Sequence, residues 1–451
     1  MDDSDFVRAY ALEGLGRTEE AKDAYRALIE RDPAHAGAHN NLARLLHREG
    51  AREDALILLE RLIDLTPYDA MAHANLGIVL FELEKFPEAR SHLRYALLLE
   101  PNSTIAHLGM ARLLAIEGND AESLRHQRAA LGSGAISVSA SGSLGENAPR
   151  LLLLASQDQL GATSAQWLSD ATFAFATLIV ERYDEGLELP PHHAIFNTIS
   201  DADRNGPALE RSCNIVAHAR VPVVNDPRAV LATARTALAH RLQGLADVVV
   251  PATRTFARGG PIPDLGWPLL LRAPGFHSGQ HFVRVERREE LAQALAQLPG
   301  DELLAIEALP SQSADGLFRK YRMMIVDEKL YPIHAAISNQ WKVHFFSAEM
   351  SNYPERRSED EAFLASPEAV VGARALAALN AIRGRLGLDY GGIDFALGSD
   401  GQILVFEANA TMTVPAPPPG ALWDYRRSPV ARILEATREM LLSRARSGGW
   451  E

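Results

Sequence analysis

Between Gly391 and Val414 the chain reads GGIDFALGSDGQILVFEANATMTV, two apolar runs, GIDFAL and ILVFEAN, separated by the turn signal SDG. Such a turn between strand-like runs predicts an antiparallel hairpin closing over Gly398 to Gly401. Side chains alternate along a strand, so Glu407 and Asn409 share a face. Asp394 is nearly as far from the turn as Glu407, which sets it across from that pair. An acid among Phe395, Leu404, Val405 and Phe406 is costly to bury uncompensated. Two carboxylates and a carboxamide oxygen on one face suit a hard cation such as Mg²⁺, which bridges a protein to nucleotide phosphates. The alternative is a row of surface acids on a half-exposed strand.

Upstream, WPLLLRAPGFHSGQHFVRV (Trp267 to Val285) reads as strand, glycine loop, strand. Backbone N–H groups of that loop, with His277 or Ser278, could close over phosphates, and Arg272 on the first strand would face them. YRMMIVDEKLYPIHA predicts a hairpin turning at Asp327 and Glu328, with Arg322 and His334 at its two ends. Lys342 and His344, in WKVHF, are weaker candidates for phosphate or carboxylate contacts, against a plain packing role. The runs LLLLA, FATLIV, HAIFNTI, VPVVN and ADVVVP alternate with amphipathic stretches over about Arg150 to Pro251, the pattern of a parallel sheet in an α/β domain. DADRNG (Asp201 to Gly206) opens like a calcium loop, but its twelfth position is Ser212 where a bidentate Glu belongs, so a capping turn is the better reading.

With 451 residues, 47% of them hydrophobic, the chain can bury several cores and predicts two to four domains. Its formal net charge of -13 argues against nucleic acid or anionic lipid as a general partner. The single cysteine, Cys213, excludes an internal disulfide framework and suits a reducing compartment. MDDSDFVRAY is acidic and unlike a secretion signal, and LLLLA is too short to span a bilayer, so a soluble cytoplasmic protein is expected.

Pro33, Pro67 and Pro101 recur at an interval of 34 residues, as do His39, His73 and His107, Ala21, Ala55 and Ala89, and the column Leu42, Leu76 and Met110. Apolar spacing between the prolines is helical, with a turn near Glu84 and Lys85 dividing a unit into two helices. Gly77, Phe81, Ala89, Leu93, Ala96 and Pro101 resemble the tetratricopeptide repeat, over residues 1–130. Such stacks present a concave face, so docking of a peptide or protein is expected, with scaffolding or a homodimer as the alternative. A repeat column of histidines is read as packing and not as a metal site. The stretch from Leu131 to Arg150, LGSGAISVSASGSLGENAPR, has linker composition.

The order of the later motifs is similar to that of the ATP-grasp ligases: an α/β domain, a phosphate flap, a linker strand and a metal hairpin. Asp394, Glu407 and Asn409 resemble their magnesium triad, with Glu407 bridging two ions. Arg272 stands where the family usually has a lysine on the α-phosphate, and Gly275 to Gly279 match the loop over the other two phosphates. Glu307, Ala308 and Leu309 resemble the adenine hinge, and Asp315 is the nearest candidate for the ribose. Arg322 matches an arginine near the reacting acyl group in RimK-type glutamate ligases, a branch that, with the glutathione synthetases, fits better than the D-alanine ligases because Gly392 replaces their arginine. Arg235 is the nearest basic residue to a second nucleotide-binding lysine.

The resemblance implies an α + α/β fold: an N-terminal helical solenoid (1–130), a linker (131–150), a pre-ATP-grasp α/β domain (151–230), and two α+β subdomains, one carrying the flap (231–310) and one the metal site (311–451). It implies ATP and Mg²⁺ as cofactors and an ADP-forming union of a carboxylate with an amine, with Arg272 and Arg322 as catalytic residues. Rival expectations are a kinase acting on a hydroxyl and a non-catalytic adaptor that senses ATP. Pro415 to Gly420, PAPPPG, is expected to shape a loop beside the site.

Overall fold

The computed structural model describes residues 4–14, 17–130, 134–138, 147–157, 172–184, 186–274, 279–343, 348, 350–414, 417 and 421–450. The chain divides into two compact units, residues 1–148 with 171–185, and residues 149–170 with 186–451.

The first unit contains α1 (Ser4–Gly14), α2 (Thr18–Arg31), α3 (Ala36–Arg48), α4 (Arg52–Leu65), α5 (Ala70–Glu82), α6 (Phe86–Leu99), α7 (Thr104–Ile116) and α8 (Asp120–Ala130), packed pairwise. Period-34 small residues permit the packing: Ala21, Ala55 and Ala89 are each fully buried. A Cβ on Gly77 would come within 2.6 Å of Leu93 Cγ, so α5 and α6 approach as closely as they do only because that position has no side chain. Glu84, at φ 60, makes the turn between them.

The histidine column is explained by hydrogen bonding. Nε2 of His39, His73 and His107 donates to the carbonyl of Pro33, Pro67 and Pro101 at 3.1, 3.1 and 2.9 Å, tying each unit to the proline that precedes it. A carbonyl only accepts, so Nε2 carries the proton and Nδ1 is left as an acceptor. In two units that acceptor meets a second ring, His92 Nδ1 at 2.9 Å and His126 Nδ1 at 2.8 Å. Leu58 occupies the corresponding place in the first unit, and His39 Nδ1 has no hydrogen-bond partner among the described residues.

Glu82 joins three helices: it accepts from His47 at 3.0 Å and Arg52 at 2.9 Å, and Arg112 lies 3.9 Å away. The His47 hydrogen bond, with Arg52, outweighs burial and holds its carboxyl down to about 2 from an ordinary 4.5. A depressed acid stabilises the fold above its unfolded value and loses that contribution as pH falls through its folded value. The thermal midpoint of Glu82→Gln is therefore expected to lie below that of the parent at pH 7, with the difference closing between about pH 4.5 and 2.

Residues 131–150, expected as linker, contain a strand, β1 (Ile136–Val138). β2 (Arg150–Ala155) belongs to the second unit, whereas β3 (Ala174–Ile179) belongs to the first, antiparallel to β1. The FATLIV run supplies β3. Three residues suffice for β1 because Ile136 to Val138 pair with Leu178 to Ala176.

In the second unit, β2 pairs in parallel with β4 (Ala194–Asn197), and β4 with β5 (Val223–Val224). Between and after them run α9 (Gly206–Val216), α10 (Pro227–Leu231) and α11 (Arg235–Arg241). β6 (Val248–Val249), read from the sequence as a run of the α/β layer, instead joins a later sheet. β7 (Thr253–Ala257), β8 (Leu269–Arg272), β9 (Phe282–Val285) and, beyond α12 (Leu291–Ala296), β10 (Glu302–Glu307) form one sheet in the order β7-β10-β8-β9. β11 (Phe318–Val326) and β12 (Lys329–Ser338) lead to α13 (Pro354–Ala365), α14 (Pro367–Val371) and α15 (Ala373–Leu386), then to β13 (Tyr390–Leu397), β14 (Ile403–Ala410) and α16 (Arg427–Ser447). Their sheet runs β12-β11-β13-β14-β6.

Asn225, fully buried in the left-handed region at φ 58, joins the α/β layer to this last sheet. Its side-chain oxygen accepts from the amides of Asp389 and Tyr390 at 3.0 and 2.9 Å, and its Nδ2 donates to the Tyr390 carbonyl at 2.7 Å. Behind the sheet, Asp360 of α13 accepts from the Ala335 amide at 2.7 Å, Tyr425 Oη at 2.6 Å and Arg426 Nε at 2.8 Å. No helix among the described residues is long and apolar enough to cross a membrane.

Candidate functional site

Cross-strand pairing lines up His334, Arg322, Asp394 and Glu407, each directly opposite the next across β12, β11, β13 and β14. Directly opposed residues share a face. One residue along, Tyr321 pairs with Phe395, which pairs with Val405. That apolar row packs against α13, with the Tyr321 ring 5.0 Å from Phe363 and 5.5 Å from Phe395. This is why an acid stands inside an apolar run: alternation turns Phe395 into the core and Asp394 toward a charged row.

Asp394 is fully buried. Arg322 grips it with both arms, Nε to Oδ1 at 2.5 Å and Nη2 to Oδ2 at 2.8 Å, and Lys320 Nζ reaches Oδ2 at 2.9 Å. Burial alone would push this carboxyl up, but Arg322 and then Lys320 hold it well below the usual carboxylate range. Glu407 accepts from Arg235 Nη2 at 2.8 Å, and the same guanidinium donates through Nη1 to Asp203 at 2.6 Å. Against burial, Arg235 keeps the Glu407 carboxyl low while Asp394 pushes it back. Both acids are therefore ionised. His334, buried beside Arg322, is held well below the ordinary histidine value, first by burial and then by that arginine, and is neutral.

Asn409 follows Glu407 by two residues, opposite Gly392. A Cβ on Gly391 would meet the Asn409 carbonyl at 2.8 Å, and one on Gly392 would run into Met412 Sδ. The double glycine keeps this end of the hairpin closed, which accounts for the absence of an arginine at Gly392.

The four-stranded sheet supplies Arg272, 8% exposed, whose guanidinium lies 5.5 Å from the Phe282 ring. Burial and then Arg235 lower its basicity, while Glu407, Asp201 and Asp203 oppose them, which sets it among the same charges. Lys342 Nζ donates to the Phe282 carbonyl at 3.3 Å, and its side chain lies where a Cβ on Gly279, at φ 75, would be. Burial and Arg272 lower the Lys342 ammonium. Arg235, Arg272, Arg322, Asp394 and Glu407 are thus one electrostatic cluster, with Lys342 at its edge.

Other expected residues do not join it. Asp315 is held by Arg319 at 2.7 Å and accepts from the Leu317 amide at 3.1 Å. Arg319 alternates to the opposite face from Lys320 and Arg322 and pairs with Glu359 of α13 at 2.6 Å, so the partner of Asp315 lies behind the sheet. Glu307 Oε2 accepts from the Ala252 amide at 3.0 Å, joining the end of β10 to the start of β7; Ala308 and Leu309 continue from it as irregular backbone. Arg322 and His334 are direct cross-strand neighbours. Gly275, His277, Ser278 and His344 lie outside the described residues, as do Pro415, Ala416, Pro418, Pro419 and Gly420. Asp201 accepts from the amides of Asp203 and Arg204 at 3.0 and 3.2 Å, closing a turn ahead of α9.

Sequence reasoning missed Lys320 and Asp203. Lys320 was accessible to it, being two residues before Arg322 and so on the same face. Asp203 lies in the DADRNG turn, but nothing local points to its partner Arg235, 32 residues away. Among the described residues no three His, Cys, Asp or Glu groups converge as metal ligands. The oxygen donors that do converge are Asp394 and Glu407, with Asn409 following on the same strand face.

The tetratricopeptide-repeat family model matches residues 6–70 and 75–136. The N-terminal helices are tetratricopeptide repeats. Similar solved structures include the crystal structure of MamA, 19% identical over 27% of this chain and 72% of that one, with a TM-score of 0.26. MamA 41-end from Desulfovibrio magneticus RS-1 is 20% identical over 27% of this chain and 70% of its own, with a TM-score of 0.26. YrrB, described as a TPR protein with an unusual peptide-binding site, is 25% identical over 27% of this chain and 63% of its own, with a TM-score of 0.25. No curated protein matches the chain. On the tetratricopeptide unit, Arg44, His47, Asn75, Ile78, Val79 and Ile105 line a groove, with Asn75 Nδ2 donating to Asn40 Oδ1 at 3.1 Å. Repeats of this kind indicate a role in binding a protein or peptide.

Proposed function

We propose that the second unit is an ATP-dependent carboxylate-amine ligase of the ATP-grasp type, and that the repeats hold its peptide or protein substrate. The observation that carries this reading is the charged cross-strand row, in which two ionised acids, Asp394 and Glu407, share a face with Arg322 and meet Arg235 and Arg272. The donor set is all oxygen, two ionised carboxylates and one neutral carboxamide, which fits Mg²⁺ held by Asp394, Glu407 and Asn409. When bound, the ion supplies neutralisation of the phosphate charge.

In the proposed reaction a carboxylate oxygen of the substrate attacks the γ-phosphorus of ATP, and ADP leaves with the electron pair of the broken bond. An amine nitrogen then attacks the acyl carbon, inorganic phosphate departs, and the nitrogen loses a proton to give the amide. Arg272 and Arg322 are fixed donors aimed at the charge that develops on the transferred phosphoryl group. Lys342, lowered by burial, lies against Gly279 of the flap at the border of the same space. No nucleophile from the protein is required.

A second reading has a specific observation in its favour. Both oxygens of Asp394 already hold cations of the protein itself, as a non-catalytic adaptor would permit. ADP release measured against a panel of carboxylates, amines and hydroxylated compounds separates the readings. Release dependent on both an acid and an amine supports the ligase, release with a hydroxyl alone indicates a kinase, and binding of ATP without release leaves the adaptor.

A further inference from the structure

Lys320 has no role in the scheme above, yet it is the second cation on a fully buried acid. Its side chain is 14% exposed and its ammonium lies 2.9 Å from Asp394 Oδ2. Arg322 Nη2 takes that same oxygen at 2.8 Å and Nε takes Oδ1 at 2.5 Å, so the carboxylate is charge-compensated before any ion arrives. The two basic residues are not equivalent. Arg322 is a planar bidentate clamp fixed directly opposite Asp394, whereas Lys320 is a point charge on a flexible stem, reaching in from two residues along the strand. A divalent ion needs the oxygen lone pairs that these donors occupy. Lys320 is the partner able to withdraw without disturbing strand pairing.

We propose that Lys320 is a positioning residue of the cation site, an internal counter-ion that competes with the divalent ion for Asp394. Once displaced, its ammonium is delivered to the anionic group transferred at that face. This rests on the reading of Asp394 and Glu407 as cation ligands. The pair keeps Asp394 compensated in the empty site and makes release of a positive charge toward the substrate conditional on ion binding.

The test is Mn²⁺ binding to the untagged full chain, followed by electron paramagnetic resonance without nucleotide or substrate. Lys320→Met is expected to bind Mn²⁺ about tenfold more tightly than the parent, equivalent to about 1.4 kcal/mol, while Lys320→Arg, which keeps the charge, stays near the parent. Amine acylation of the unaltered protein, mapped by mass spectrometry, gives a readout independent of any variant: labelling of Lys320 is expected to rise severalfold when Mn²⁺ is added. If the parent binds Mn²⁺ but Lys320→Met binds it equally or more weakly, and Lys320 labelling does not change, the counter-ion role is overturned and the cation site stands. If neither the parent nor Glu407→Gln differs from a protein without sites, the cation reading itself fails, and this proposal with it.

Discussion

Glu407→Gln is expected to lower acid- and amine-dependent ADP release by about 10²- to 10³-fold, the scale of losing one preorganised electrostatic contact at a transferring group. The substitution keeps shape and a hydrogen-bonding oxygen while removing the charge. Arg235 retains Asp203 at 2.6 Å, so the guanidinium is not stranded and the fold is expected to persist, which circular dichroism checks. Asp394, freed from a like charge on its neighbour, is held more firmly by Arg322 and Lys320. Turnover at the parent rate would show that Glu407 takes no part in neutralising phosphate, and the proposed cation role of this residue would fall. Loss of release with unchanged secondary structure is the expected result.

The largest effect on stability is expected at Asp360. This fully buried carboxylate gathers the Ala335 amide, the Tyr425 hydroxyl and the Arg426 guanidinium, which is itself 5% exposed. Asp360→Ala leaves that guanidinium buried without its counter-charge, a change worth about 3–5 kcal/mol. Urea unfolding followed by Trp423, whose ring lies 5.5 Å from Arg426, measures it directly. Because most of the loss comes from the stranded charge, the double variant Asp360→Ala with Arg426→Met is expected to recover part of it. If the single variant loses under about 1 kcal/mol, the pair is not a determinant of this unit's stability.

The hairpin of β13 and β14 was legible because everything that fixes it is local: a turn signal, two apolar runs, and a period of two that can be counted from the turn. The same counting set Asp394 opposite Glu407. What lay beyond reach was the pairing that brings Arg322 against Asp394 from 72 residues away and Arg235 against Glu407 from 172. Nothing in either segment announces its partner. Composition misled where strands are short: Ile136 to Val138 disappear among glycines and serines, and Val248 and Val249 read as part of the first layer although they pair with Ile403 and Leu404. Asp315 was chosen for its position along the chain, and its partner Arg319 lies on the face of β11 opposite Arg322. In the repeats the columns were visible as identities at fixed spacing, and their hydrogen bonds to proline carbonyls explain why histidine recurs there.

The knot at Asn225 sets a limit on how the protein can be dissected. A fragment beginning at residue 231 would carry every strand of the last sheet, yet the amides of Asp389 and Tyr390 would lose their acceptor, and the Tyr390 carbonyl would keep the Thr411 amide but lose Asn225. The cut would fall at the base of the strand bearing Asp394, so an inactive fragment of that kind would report on a frayed strand and not on the chemistry of the whole chain.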